Sequence, residues 1–172
     1  MKPTQLFKIQ KDLDTRILVK HKLSLSLDVL YKRFLASLVE LGECANDDRS
    51  FKYWSENQQQ KPTVLEEYVD KLHFVLSIGL ALQSLGFIAK LPVQLNPIGQ
   101  MNKTKQFLDV YAATTRLYEA VEQEAATKAL WYKRLFELFL GLGVALGFTE
   151  DQIESAYMKK NEVNHQRQSN GY

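Results

Sequence analysis

The chain has 172 residues, with 22 Lys and Arg against 20 Asp and Glu, and 45% of its side chains are hydrophobic. At roughly 100 to 200 residues per domain this is one domain, long enough to bury a core without cross-links, and its composition excludes disorder. A net charge of +2 argues against a general nucleic-acid coat or a polybasic membrane binder, and the lone Cys44 excludes a disulfide framework and a cysteine-based zinc finger, which makes a reducing cytoplasm the default setting.

The opening run MKPTQLFKIQKDLDTRI mixes charge into its apolar residues and contains no signal-peptide core. Leu6, Ile9, Leu13 and Ile17 recur at helical spacing and predict a first helix. The same pattern, through Leu30, Phe34, Leu38 and Leu41, predicts a second helix over 27–45. The polar stretch 46–60 reads as a loop with a short helical turn around Phe51 to Trp54. Pro62 and Thr63, with Glu66 three residues on, form a capping-box pattern that opens a long helix toward Gly86. Pro92, Pro97 and Gly99 make 91–102 a connection. Helices follow over 105–122 and 126–146, the latter stopped by Gly147. Thr149 with Gln152 caps a last helix, and the polar run NEVNHQRQSNGY reads as a tail. The apolar stretch 135–148 contains Glu137 and is shorter than the roughly 20 residues of a membrane span, so it reads as a buried helix. The fold class is all-α, a bundle of about six helices in one domain over 1–172.

Charge is uneven along the chain. Residues 40–70 hold eight acidic against three basic side chains, a local balance of −5, while Lys and Arg concentrate in the first 22 residues and near the C-terminus. Within the acidic centre, Glu40 and Glu43 stand three apart on one predicted helix, and Glu67 and Asp70 three apart on the next. Positions i and i+3 share a helix face. Two antiparallel helices can therefore converge four carboxylates, which repel one another and lose hydration unless a cation neutralises them. Oxygen ligands suit Mg²⁺ or Mn²⁺, and Mg²⁺ takes further ligands from substrate phosphates. The pattern points to phosphate-ester or phosphoanhydride chemistry.

The runs FLASLVELGECANDDRSFKYWSE and LEEYVDKLHFVLSIGLAL, with the closing YMKKNEVNHQRQSNGY and the opening IQKDLDTRI, resemble the dimeric all-α dUTP diphosphatases of the all-α nucleoside triphosphate pyrophosphohydrolase superfamily. The resemblance implies Mg²⁺-dependent hydrolysis of dUTP to dUMP and pyrophosphate, and a homodimer. It implies that Glu40, Glu43, Glu67 and Asp70 are metal ligands, with Glu43 assigned as the base. It implies that Lys160 and Arg167, within a phosphate-binding tail over 158–172, hold the phosphates. Gln10, Asp14, Trp54, His73 and Asn164 match base and sugar positions, although Asp14 stands where some members carry Asn. A carboxamide such as that of Gln10 offers the donor and the acceptor that uracil needs. Whether dUDP is cleaved too stays open. The alternative activity is a broader-specificity nucleotide pyrophosphohydrolase, dCTP-cleaving or MazG-like.

Plainer readings stand beside these. Phe51 and Trp54 can anchor a loop, His73 can be a buried hydrogen-bonded histidine, Lys160 and Arg167 can complement a helix dipole, and Cys44 can be a small core residue. Gly141, Gly143 and Gly147 follow no strand, so close packing explains them better than a phosphate loop. A di-iron bundle would need Glu-x-x-His on two helices, and three histidines in all disfavour it. A non-enzymatic helical module would leave the four carboxylates dispensable.

Overall fold

The computed structural model describes residues 2–100 and 102–169. Six helices follow in order: α1 (Pro3–Lys20), α2 (Leu27–Asp48), α3 (Val64–Ser84), α4 (Lys103–Glu122), α5 (Lys128–Leu146) and α6 (Glu150–Ser169), with no strand among the described residues. The all-α class expected from periodicity is what the chain adopts. No described helix is long and apolar enough to cross a membrane.

Helix ends follow local chemistry. Pro3 occupies the first turn of α1, where a missing N–H costs nothing. Ser26 caps α2 by accepting from the Val29 amide, and Asn102 caps α4 by accepting from Lys105. α4 thus begins two residues before its expected start. The Thr149–Gln152 capping box forms in full, at 3.2 and 2.9 Å. The box expected at Thr63 does not form: the Thr63 hydroxyl donates to the Asp47 carboxylate, a charged acceptor, and Glu66 turns instead to Lys160. Gly147 ends α5 at φ +90°, a left-handed conformation that glycine adopts without strain.

Two segments differ from expectation. Residues 51–54 form hydrogen-bonded turns closed by Lys52 onto Arg49 and Ser55 onto Lys52, not a helical turn. The polar run after Lys160 is no loose tail, because α6 continues through it to Ser169. Residues 170–172, which carry the closing Gly-Tyr of the motif, lie outside the described residues.

α3 is the central element. Tyr68, Val69, Leu72, Val75, Leu76, Ile78, Ala81 and Leu82 are all fully enclosed along it. α2 runs antiparallel to α3, in a register shown by Ser37 against Lys71 and Arg33 against Ser77. α4 and α5 form a second antiparallel pair, and α1 and α6 pack on α3 and on each other. Small residues permit the closest approaches. A Cβ on Gly141 would lie 2.0 Å from the Ile98 carbonyl oxygen, and one on Gly143 would lie 2.6 Å from the Tyr68 hydroxyl. These glycines pack against backbone and ring, as the absence of a preceding strand suggests. Cys44 is enclosed in the core, where burial pushes its thiol pKa up, so it is inert rather than nucleophilic.

Candidate functional site

The α2–α3 register sets the acidic residues opposite one another. Carboxylate oxygens of Glu40, Glu67 and Asp70 lie within 4.8 Å of one another, and Glu43, one turn further along α2, is exposed and stands outside that group. The crowding has an electrostatic signature. Burial, reinforced by the charges of Asp70, Glu43 and Glu67, pushes the Glu40 pKa up to about 7. Burial and the charges of Asp70, Glu43 and Asp47 push Glu67 up to about 7 as well. Asp70 is raised by burial against the pull of Lys160. Lys160 reaches from α6 to pair with Asp70 at 2.6 Å and Glu66 at 2.8 Å. Three hard oxygen donors that disfavour their own ionisation match what a divalent cation requires. The donor set fits such an ion.

The acids stand at the edge of a cavity of about 560 Å³, walled by α1, α2, α3 and the end of α6. Glu40 and Asp70 line it, and so do Gln10, Asp14, His73, Asn164 and Arg167. The structure therefore brings one carboxylate of each acidic pair, the α6 residues Asn164 and Arg167 and the α1 amide into one hollow, with Glu67 beside it and Glu43 outside it. A second cavity, of about 350 Å³, is lined by apolar side chains such as Phe136, Leu140 and Val144 and holds no such group of carboxylates.

One wall of the larger cavity is a buried polar network. Gln10, 3% exposed, donates from Nε2 to Asp14 Oδ1 at 2.8 Å. Its Oε1 accepts from the Tyr157 hydroxyl at 3.0 Å and lies 2.7 Å from His73 Nδ1. Ser77 donates to Asp14 Oδ2 at 2.6 Å, and Arg33 pairs with the same oxygen at 3.1 Å while donating to the Ser77 carbonyl. Tyr157 also stacks on the His73 ring at 4.4 Å. Burial, and then the nearby Lys160 charge, pushes the His73 pKa down to about 3, so its ring is neutral at neutral pH. Burial raises the Asp14 pKa against the opposing pull of Arg33, Ser77 and Gln10.

Trp54 stands apart from this hollow. It is 65% exposed and meets Phe51 and Tyr53 edge-on. Asp48 accepts from Ser50, Gln60 and Lys103, and Asp47 from Lys61 and Thr63, which pins the 49–63 connection beyond the C-terminal end of α2. The cavity extends the other way, from Glu40 toward Arg33 and Val29. Arg33, Ser77 and Tyr157 join the site without a motif that marks them in the sequence. The available signal was an acidic residue, Asp14, one position after Leu13 on the inner face of α1, where a buried carboxylate needs a cation partner.

A family model described as dUTPase matches residues 2–172. No curated protein matches the chain. A match over all but the first residue, on a helical bundle with an acidic cluster at the edge of a cavity of about 560 Å³, places the chain in the dUTPase family, whose members are dUTP diphosphatases, hydrolases of phosphoric anhydrides.

Proposed function

We propose that the protein hydrolyses dUTP to dUMP and pyrophosphate in a Mg²⁺-dependent reaction, limiting dUTP incorporation into DNA and supplying dUMP. The observation that carries this reading is the meeting of Glu40, Glu67 and Asp70 at the rim of the cavity lined by Gln10, Asn164 and Arg167. Glu40, Glu67 and Asp70, with Glu43 one turn along α2, would hold the metal. Mg²⁺, when bound, supplies charge neutralisation at the phosphates and activation of water. Mn²⁺ suits the same oxygen ligands.

The chain's own residues do the rest. Glu43 takes the proton of the attacking water. Lys160 leaves Glu66 and Asp70 for the entering triphosphate, and Arg167 adds a planar fork for phosphate oxygens. Gln10 and Asn164 meet the base and sugar, and His73 and Asp14 support Gln10 from behind. Trp54 meets the base only if the 49–63 connection moves from its described position. The working form is a homodimer in the cytoplasm.

Pyrophosphate release from dUTP, assayed with Mg²⁺ and again with a chelator, tests the proposal. Turnover that survives chelation sinks the metal role. Equal turnover of dCTP or ribonucleotides replaces the substrate with a broader one.

A further inference from the structure

The Asp14 carboxylate, an acceptor, sets the direction of the Gln10 carboxamide, and Tyr157 and His73 complete its surroundings. Its Oε1 lies against the hydroxyl of Tyr157 and the Nδ1 of His73, and its Nε2 against the carboxylate of Asp14. A carbonyl oxygen only accepts, so His73 carries its proton on Nδ1 and leaves Nε2 as a bare lone pair without a partner among the described residues. Rotating the amide by half a turn would set its oxygen against an oxygen of the Asp14 carboxylate, which Arg33 pairs with, and would turn its N–H₂ toward Tyr157 and His73, which could accept only by turning their own protons elsewhere. Asp14 is itself held, because Ser77 and Arg33 occupy its other oxygen. One N–H of Gln10 is spent on Asp14, the second has no hydrogen-bond partner among the described residues, and the side chain lines the cavity.

We propose that Asp14, His73 and Tyr157 are positioning residues that lock the Gln10 carboxamide with an N–H toward the substrate, and that this locked donor favours a pyrimidine with a carbonyl at position 4 over one with an amine there. The proposal rests on the reading that Gln10 meets the base. A free carboxamide can turn to suit either edge, so a lone glutamine discriminates weakly. A site built to hydrogen-bond one group rejects the analogue that would leave its polar atoms unpaired. Tyr157 does two things here. Its hydroxyl donates to Oε1, and its ring packs on one face of the His73 imidazole.

The test compares kcat/KM for dUTP and dCTP across wild type, Gln10→Ala, Tyr157→Phe, Asp14→Asn and Asp14→Leu, with melting temperatures recorded for each. Tyr157→Phe keeps the ring stack and removes only the hydroxyl, so it lowers the dUTP-to-dCTP preference about five- to tenfold, through KM for dUTP rather than kcat. Asp14→Leu does the same, and Asp14→Asn, whose side-chain oxygen still accepts from Gln10, retains most of the preference. A wild type with no preference sinks the substrate reading and the proposal with it. A Gln10→Ala enzyme that keeps the preference shows that Gln10 does not meet the base, which also overturns the proposal. If Gln10→Ala loses the preference and Tyr157→Phe keeps it, the lock alone is overturned. Should Tyr157→Phe fail to fold, ¹⁵N NMR of the wild-type His73 ring decides. A protonated Nδ1 beside a bare Nε2 supports the lock, and the opposite tautomer or an imidazolium at neutral pH refutes it.

Discussion

Lys71 lies wholly enclosed between α2 and α3, one residue past Asp70, and among the described residues its ammonium donates only to the Ser37 hydroxyl, at 2.5 Å. Burial pushes its pKa down to about 7 against the weaker pull of Cys44 and Glu40. The unfolded chain binds that proton up to about pH 10.5, so Lys71 costs stability at and below neutral pH, and the cost fades as pH rises from about 7 to about 10.5. Lys71→Met is therefore stabilising at pH 7, with a gain that vanishes toward pH 10.5 when urea denaturation is followed across that range. Glu40 and Glu67 act below that window. Their pKa values of about 7 exceed the unfolded value of 4.5, so the stability they contribute is present below about pH 4.5 and is lost as pH rises to about 7. His73 opposes them, since its depressed pKa of about 3 makes stability fall as pH drops from about 6.5 toward 3. Saturating Mg²⁺ removes the carboxylate loss, and denaturation midpoints that show the same slope between pH 4.5 and 7 with and without Mg²⁺ would contradict this. Glu43→Gln and Asp70→Asn each lower dUTP turnover by about a hundredfold or more, as read from initial rates. At this scale the acidic pairs were legible because i, i+3 spacing is local. Which carboxylate stands outside the cluster was not legible, nor was the pairing of Asp14 with Arg33, because both depend on how α1 and α2 meet α3.

Among elements, the helices themselves were readable wherever an apolar stripe faced the core, and their ends wherever a cap was local. Thr149 with Gln152 is such a cap. Thr63 is the instructive failure: its sequence context matches a capping box, but Asp47, sixteen residues earlier, brings a charged acceptor that no window of four residues reveals. The second half of α6 was equally illegible. It has no apolar stripe and is held by α1 through Arg16 to His165 and Ser169, His21 to the Gln168 side chain, and Lys20 to the Gln168 carbonyl. The connection 91–100 depends on a different device, the bare face of α5 at Gly141. Gly141→Ala pushes a methyl group into the Ile98 carbonyl and costs about 1–3 kcal/mol, a drop that calorimetry reads as a lowered Tm with α-helical content unchanged.

For the whole molecule, the charge pattern gains a spatial meaning. The acidic centre lies at the α2–α3 hairpin and basic residues of α6 close over it, an arrangement suited to a small polyanion rather than a polymer. The apolar surface is uneven too. Leu35 and Val39 on α2 and Leu108 on α4 are exposed, and Leu35, Leu38, Tyr31 and Tyr118 border a shallow groove of about 290 Å³. A homodimer packed through this α2–α4 face predicts that Leu35→Glu yields a monomer by sedimentation equilibrium at micromolar concentration, whereas Val93→Glu, at the cavity lined by Phe136 and Leu140, leaves the dimer intact. A wild-type monomer under those conditions would count against the assembly.

The two halves of the site differ in how far apart along the chain their parts lie. The acidic cluster is built from Glu40, Glu67 and Asp70, within one helical hairpin, while the polar wall joins Gln10 to Tyr157 across 147 positions. Contacts of short separation form early and those of long separation late. The α2–α3 hairpin ends at Ser84, about 70 positions before Tyr157, so its carboxylates can gather first as the polypeptide is synthesised. On the function proposed above, the part of the site that would hold a cation is therefore laid down before the part that would meet the base, and selectivity would be the last property acquired.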